Sequence, residues 1–60
     1  MNTCIIVEDE PLARSLMEVY VSKVPQLKLL QSFGKPMEAL EFLKKNAVDL
    51  LFTDIQMPEL

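Results

Sequence analysis

The sequence of 60 residues contains no histidine, one glycine, one cysteine and no purely apolar run longer than residues 4–7. The absence of histidine excludes a histidine-based metal site and Ser-His-Asp chemistry within the chain. A membrane-spanning helix needs roughly 20 consecutive apolar residues, so none is predicted. The N-terminus also does not have the pattern of a secretory signal. We therefore expect a cytoplasmic chain that forms at most one domain.

Basic residues are also few, because six Lys and Arg stand against nine Asp and Glu and give a formal net charge of −3. Nucleic-acid phosphates are bound by positively charged surfaces, so we expect no direct nucleic-acid binding by this chain. The single cysteine, Cys4, has no partner for an internal disulfide and lies in an apolar run. This setting predicts a small buried side chain rather than a reactive thiol.

Three short apolar runs alternate with two amphipathic stretches along the chain. Residues 3–7, 27–33 and 48–53 predict strands, with the second strand half exposed at a sheet edge. Residues 11–23 predict a helix, and a second helix is expected from Lys35-Pro36 to about Asn46. Strands separated by helices imply right-handed crossovers and a parallel sheet, so the predicted class is α/β. Both helices are expected to pack on the sheet through wide apolar stripes. The stripe of the first helix contains Leu12, Leu16 and Tyr20 with Ala13, Met17, Val21 and Val24 beside them, and that of the second contains Met37, Ala39, Leu40 and Leu43.

Acidic residues follow two of the predicted strands. Glu8 and Asp9 follow the first strand, and Asp54 follows the third. The carboxyl ends of parallel strands meet at one edge of the sheet, where repulsion among carboxylates favours a bound cation such as Mg²⁺. A carboxylate beside such an ion can act as a nucleophile toward phosphorus. In the alternative interpretation, Glu8, Asp9 and Glu10 only cap the first helix and Asp54 marks a turn.

Three motifs carry a resemblance to a known family. They are VEDEP at residues 7–11, EAL at 38–40 and DLLFTDIQMP at 49–58, with about 45 residues between the acidic pair and Asp54. As a set they resemble the N-terminal half of a two-component response-regulator receiver domain. The segments at residues 11–13 and 57–60 are most similar to receivers that precede a LytTR-type DNA-binding domain.

The resemblance implies a fold and a set of site residues. The fold would be the βαβαβ half of a flavodoxin-like doubly wound parallel sheet with strand order 2-1-3, and residues 1–60 would form a truncated receiver domain. Asp54 would be the phosphoacceptor. Asp9 would bind Mg²⁺ directly, Glu8 would reach the ion through water, and Asp54 and the backbone carbonyl of Gln56 would complete the protein ligands.

The resemblance also implies a function. The chain would take a phosphoryl group from a sensor histidine kinase onto Asp54 and signal to a missing output domain that controls transcription, without being an enzyme itself. The Ser/Thr and Lys that assist this transfer would lie in the missing half, because Lys35, Lys44 and Lys45 are expected to point elsewhere. Phosphorylation of the fragment would therefore be poor. Arg14 is expected to be a solvated helix residue, or part of a kinase-docking surface with Met17 and Glu18.

Two other functions are compatible with the sequence. The chain could be a non-catalytic interaction or dimerisation module, with a homodimer formed through the exposed third strand. Mg²⁺ binding discriminates, because only the phosphoacceptor requires it. A phosphatase with an aspartate nucleophile is disfavoured, since that chemistry needs a second acid where Gln56 stands.

Overall fold

A computed structural model of the chain describes residues 1–53. In chain order its elements are β1 (Asn2–Val7), α1 (Pro11–Ser22), β2 (Leu27–Phe33), α2 (Pro36–Lys45) and β3 (Leu50–Thr53). The strands form one parallel sheet in the order β2-β1-β3. This arrangement confirms the predicted βαβαβ part of a flavodoxin-like sheet, with β2 at an edge.

β1 is the centre of the core, because its residues 4–7 are all buried. Its side chains alternate between two apolar clusters, one on each face of the sheet. The cluster under α2 contains Ile5, Val7, Phe33 and Ala39, and the cluster under α1 contains Cys4, Ile6 and Val21. Burial of Cys4 is as predicted, and it raises the pKa of the thiol.

A bulge in β2 explains why its apolar residues alternate imperfectly. Cys4 of β1 pairs with Leu29, but the next residue, Ile5, pairs with Gln31, so Leu30 is the extra residue of β2. An extra residue shifts the side chains beyond it to the opposite face. Leu30 and Phe33 consequently join the same cluster although they are three residues apart.

The helices pack on the sheet through only part of the predicted apolar stripes. Leu12, Leu16, Tyr20, Leu40 and Leu43 were expected in the core, but all five are exposed, Leu12 to 80%. In α1 the buried row is the adjacent one, where Val21 belongs to the core and Met17 packs against it. In α2 the inward residues are Ala39 and Phe42. Two neighbouring rows of α1 are apolar, so its sequence does not distinguish between these two rotations.

β3 is two residues shorter than predicted, because Asp49 bonds to Thr3 instead of extending the strand. The Asp49 carboxylate Oδ2 accepts from the Thr3 backbone nitrogen at 2.8 Å and from the Thr3 hydroxyl at 3.2 Å. The Asp49 backbone nitrogen donates to the Thr3 carbonyl at 3.1 Å. These bonds fix the register in which β3 enters the sheet beside β1.

Candidate functional site

The carboxyl ends of β1 and β3 lie side by side. Val7 and Thr53, the last residues of these strands, are paired in the sheet. Residues 8–10, which we call the acidic loop, follow Val7, and Asp54 follows Thr53 in the sequence. Asp54 and Gln56 lie outside the described residues, so their roles as phosphoacceptor and metal ligand stay predictions.

Glu8 is built into the fold by both its backbone and its carboxylate. It is only 2% exposed, and its backbone nitrogen donates to the Phe33 carbonyl of β2 at 2.9 Å. Its Oε2 accepts a hydrogen bond from the Glu10 backbone nitrogen at 3.0 Å. The Glu8 carboxylate therefore closes the acidic loop. A contact to a metal ion through water remains a prediction.

Asp9 has the opposite character. Its side chain is exposed, and no hydrogen bond or ion pair joins it to another residue in the range 1–53. A carboxylate that is left unpaired beside a second strand end is available to a cation or to water. Among the described acids of the loop, Asp9 is the one whose oxygens have no protein partner.

Glu10 acts as the N-cap of α1. Its backbone is extended, with φ −87° and ψ 117°, and its carboxylate accepts from the Leu12 backbone nitrogen at 3.3 Å. Pro11 follows at the first helical position, where its missing N–H costs no helix hydrogen bond. The capping interpretation is thus correct for Glu10, but it does not account for Asp9.

Arg14 is the residue of this region whose role the sequence did not reveal. It was expected to be solvated, but it is half-buried, and its Nη1 donates to the Glu8 carbonyl at 2.8 Å. Its guanidinium also lies against Gly34, just after β2. The sequence offers one signal that could have indicated this contact. An arginine occurs in the first turn of the predicted first helix, and the only glycine of the sequence follows the predicted second strand.

An open groove of about 850 Å³ adjoins Asp9 between α2 and the sheet. Lys35 and Asp9 both line this groove. The expectation that Lys35 points away from the acids stays a prediction. No ion pair joins the two side chains within the described part of the chain. Lys44 pairs instead with Glu41, at 3.2 Å. Most of the remaining lining is apolar and includes Val7, Met37, Ala39, Leu40, Leu43 and Leu51.

Comparison with known families assigns this architecture. Residues 4–60 match the family model described as "Response regulator receiver domain". The chain belongs to the response-regulator receiver family. All three acids of the acidic loop lie within the matched residues, as do Arg14 and Gly34.

The receiver is similar to several curated bacterial proteins. It is 39% identical over 56 residues to "Protein MrkE" of Klebsiella pneumoniae, covering 93% of this chain and 21% of that protein. It is 38% identical over 56 residues to "Transcriptional regulatory protein YpdB" of Escherichia coli K12, covering 93% and 23%. It is 34% identical over 60 residues to "Transcriptional regulatory protein BtsR" of the same strain, covering 100% and 25%.

The receiver therefore spans only about a fifth to a quarter of the length of these relatives. No solved structure matches it. None of the helices that the structure describes is long and apolar enough to cross a membrane.

The donor chemistry of the receiver's acidic loop fits Mg²⁺. The unpaired Asp9 carboxylate supplies hard oxygen ligands, and Mg²⁺ is commonly held by one or two carboxylates with water in the other positions. Residues 1–53 contain no group of three or more acidic, Cys or His side chains that could enclose an ion. A complete protein ligand set would thus require the predicted contributions of Asp54 and Gln56.

Proposed function

We propose that this receiver is the phosphoacceptor of a two-component system and takes a phosphoryl group from a sensor histidine kinase onto Asp54. The observation that supports this proposal best is the unpaired carboxylate of Asp9 at the end of β1. It lies beside the strand whose next residue in the sequence is Asp54, in a chain of the receiver family. The phosphoryl group stays on the chain, so we propose a signalling protein rather than an enzyme.

Each residue of the proposed site would have a separate role. Asp9 would bind Mg²⁺ directly, Glu8 would reach it through water, and Asp54 and the Gln56 carbonyl would complete the ligand set. Bound Mg²⁺ would neutralise the negative charge of the transferring group. An Asp54 carboxylate oxygen would bond to phosphorus as the bond between phosphorus and the donor breaks. The buried Glu8 and the capping Glu10 would hold the loop that presents Asp9.

We further propose that the receiver controls transcription through a DNA-binding output domain of the LytTR type and acts in the cytoplasm. Two of the similar proteins are named transcriptional regulatory proteins, and each is several times longer than this chain. The net charge of −3 is unfavourable for phosphate contacts, so DNA would be bound by the output domain.

Intact-mass measurement tests the acceptor role. The full-length protein would be incubated with Mg²⁺ and acetyl phosphate, and we expect the mass of one added phosphoryl group. Asp54→Asn should abolish the addition, and Asp9→Asn should slow it strongly. Glu38→Gln serves as the matched control, because Glu38 is an exposed acid in the first turn of α2, away from the ends of β1 and β3. Phosphorylation that persists in Asp54→Asn would disprove the assignment.

A second candidate function follows from the exposed edge of the described sheet. Leu50 and Leu51 of β3 are 40% and 48% exposed, and among the strands of residues 1–53 β3 lies at an edge of the sheet, next to β1. Such an edge can pair with another strand, so we propose a homodimer through β3 as the alternative, in which the chain is an interaction module. Sedimentation at rising concentration tests it. A monomer at every concentration would disprove the dimer, and an interaction module would need no Mg²⁺.

A further inference from the structure

Asp9 lies between two peptide groups, and each of them is held by a hydrogen bond. The Glu8 carbonyl belongs to the peptide that precedes Asp9, and it accepts from Arg14 Nη1 at 2.8 Å. The Glu10 nitrogen belongs to the peptide that follows Asp9, and it donates to Glu8 Oε2 at 3.0 Å. Peptide groups are planar, so the two rotations at Asp9 set the direction of its side chain. Both neighbouring peptide groups are held, and together they set the direction in which the Asp9 Cα–Cβ bond leaves the backbone.

The guanidinium of Arg14 packs against the backbone of Gly34. A Cβ placed on Gly34 would lie 2.9 Å from Arg14 Nη1 and 3.7 Å from its Cζ. The shorter distance is closer than carbon and nitrogen approach without displacement. The backbone of Gly34 does not have a positive φ. A side chain at this position would therefore displace the flexible end of Arg14 rather than any backbone, and backbone conformation does not require glycine here.

A second contact, between α1 and the end of β2, holds α1 beside Gly34. The Ser32 hydroxyl donates to the Glu18 carboxylate, one helical turn beyond Arg14. Ser32 and Gly34 are two residues apart along the end of β2, and Arg14 and Glu18 are four residues apart on α1. The Arg14–Gly34 contact and the Ser32–Glu18 hydrogen bond therefore lie next to each other, and both hold α1 against the carboxyl end of β2.

We propose that Arg14, seated against Gly34, is a positioning residue that orients the Asp9 carboxylate toward a divalent cation by holding the Glu8 carbonyl. This inference rests on the proposed function, in which Asp9 binds Mg²⁺. Neither Arg14 nor Gly34 contacts the ion. Arg14 and Gly34 act by holding the peptide group that precedes Asp9, whereas the Glu8 carboxylate holds the peptide group that follows it.

The direction in which Arg14→Ala changes Mg²⁺ affinity tests the inference, because charge and positioning predict opposite changes. A positive guanidinium near the acidic loop repels Mg²⁺, so a residue that acted only through its charge would weaken binding. Removal of Arg14 would then tighten binding. If Arg14 positions Asp9, its removal loosens the loop and weakens binding instead. Loss of a residue that orients a metal ligand typically reduces affinity about 10- to 100-fold.

The experiment is a calorimetric titration of the full-length protein with MgCl₂. We expect about tenfold weaker binding for Arg14→Ala and a partial recovery for Arg14→Lys, which keeps the charge and an N–H donor group but lacks the planar guanidinium. Gly34→Ala should weaken binding several-fold by displacing the guanidinium. Lys28→Ala is the matched control, because Lys28 is an exposed base of β2 at the other end of the strand. It should leave the affinity unchanged.

Three further measurements separate positioning from general stability. In the Arg14→Ala background, Gly34→Ala should have no additional effect on Mg²⁺ affinity, because the two residues act through one contact. In the metal-free protein, the Glu10 amide hydrogen should exchange faster with solvent in Arg14→Ala than in the unchanged protein. The midpoint of urea unfolding, measured for each variant, shows whether a loss of affinity merely follows a loss of folded protein.

The outcomes distinguish this inference from the proposed function. If the unchanged protein binds no Mg²⁺, the proposed function fails and the inference fails with it. If it binds Mg²⁺ and Asp9→Asn abolishes the binding, but Arg14→Ala leaves it equal or tighter, the inference alone is overturned. Additive effects of Arg14→Ala and Gly34→Ala would also overturn it.

Discussion

Replacement of Phe33 by alanine is expected to remove much of the stability of this fold. Phe33 is 6% exposed and belongs to the cluster between the sheet and α2. Its ring also meets that of Phe42, with the centroids 5.4 Å apart and the planes tilted by 58°. A buried Phe→Ala change costs about 3–5 kcal/mol, including the cavity that it leaves. The aromatic contact accounts for about 0.5–1.5 kcal/mol of this.

This cost is large for a unit of this size. At roughly 0.05–0.15 kcal/mol per residue, 60 residues have a free energy of unfolding of about 3–9 kcal/mol. Urea unfolding followed by circular dichroism would measure the loss. Gln31→Ala, an exposed change in the same strand, should stay within about 0.5 kcal/mol.

A double-mutant cycle tests the aromatic contact itself. Phe33→Ala and Phe42→Ala should together cost less than the sum of their separate effects, by about 0.5–1.5 kcal/mol. Close packing of Phe33 in the core is refuted if Phe33→Ala costs less than about 1 kcal/mol. The contact between the two rings is refuted if the two changes are strictly additive.

Three further predictions concern the site and its supports. Asp9→Asn should weaken Mg²⁺ binding at least about tenfold in calorimetry but change the free energy of unfolding by less than about 0.5 kcal/mol, since Asp9 is exposed and unpaired in residues 1–53. Glu10→Ala should cost about 1 kcal/mol in urea unfolding through loss of the helix cap, whereas loss of the exposed Lys44 pair in Glu41→Ala should cost less than half of that. Cys4 should react with iodoacetamide only on unfolding, because burial raises the pKa of its thiol. Its contribution to stability is complete below the unfolded pKa and is lost as pH rises through the folded pKa, a decline that Cys4→Ala should lack.

The strand order and the place of the acids could be predicted because the signals are local. Unbroken apolar runs identify strands that are buried on both faces, and Pro11 after three acids identifies a helix start. Parallel strands then bring their carboxyl ends to one edge by geometry alone. The position of Asp9 at that edge can therefore be predicted from the order of the strands and helices along the chain.

The helix faces could not be predicted in the same way. In α1 the predicted stripe included both the row that contains Leu12 and Leu16 and the row that contains Met17 and Val21, but only the second row meets the sheet. Both rows are apolar and adjacent, so hydrophobic periodicity alone favours neither. The rotation depends on how Val21 fits against Cys4 and Ile6, which lie far away in the chain.

The sequence by itself determined the α/β class, the burial of β1 and the acids beyond the strand ends, because each follows from a periodicity or a spacing of neighbouring residues. Only the tertiary structure decided the bulge at Leu30 and the role of Arg14. The bulge depends on the pairing of β2 with β1. The contact from Arg14 to the Glu8 carbonyl exists because α1 packs beside Gly34, where the absence of a side chain leaves room for the guanidinium.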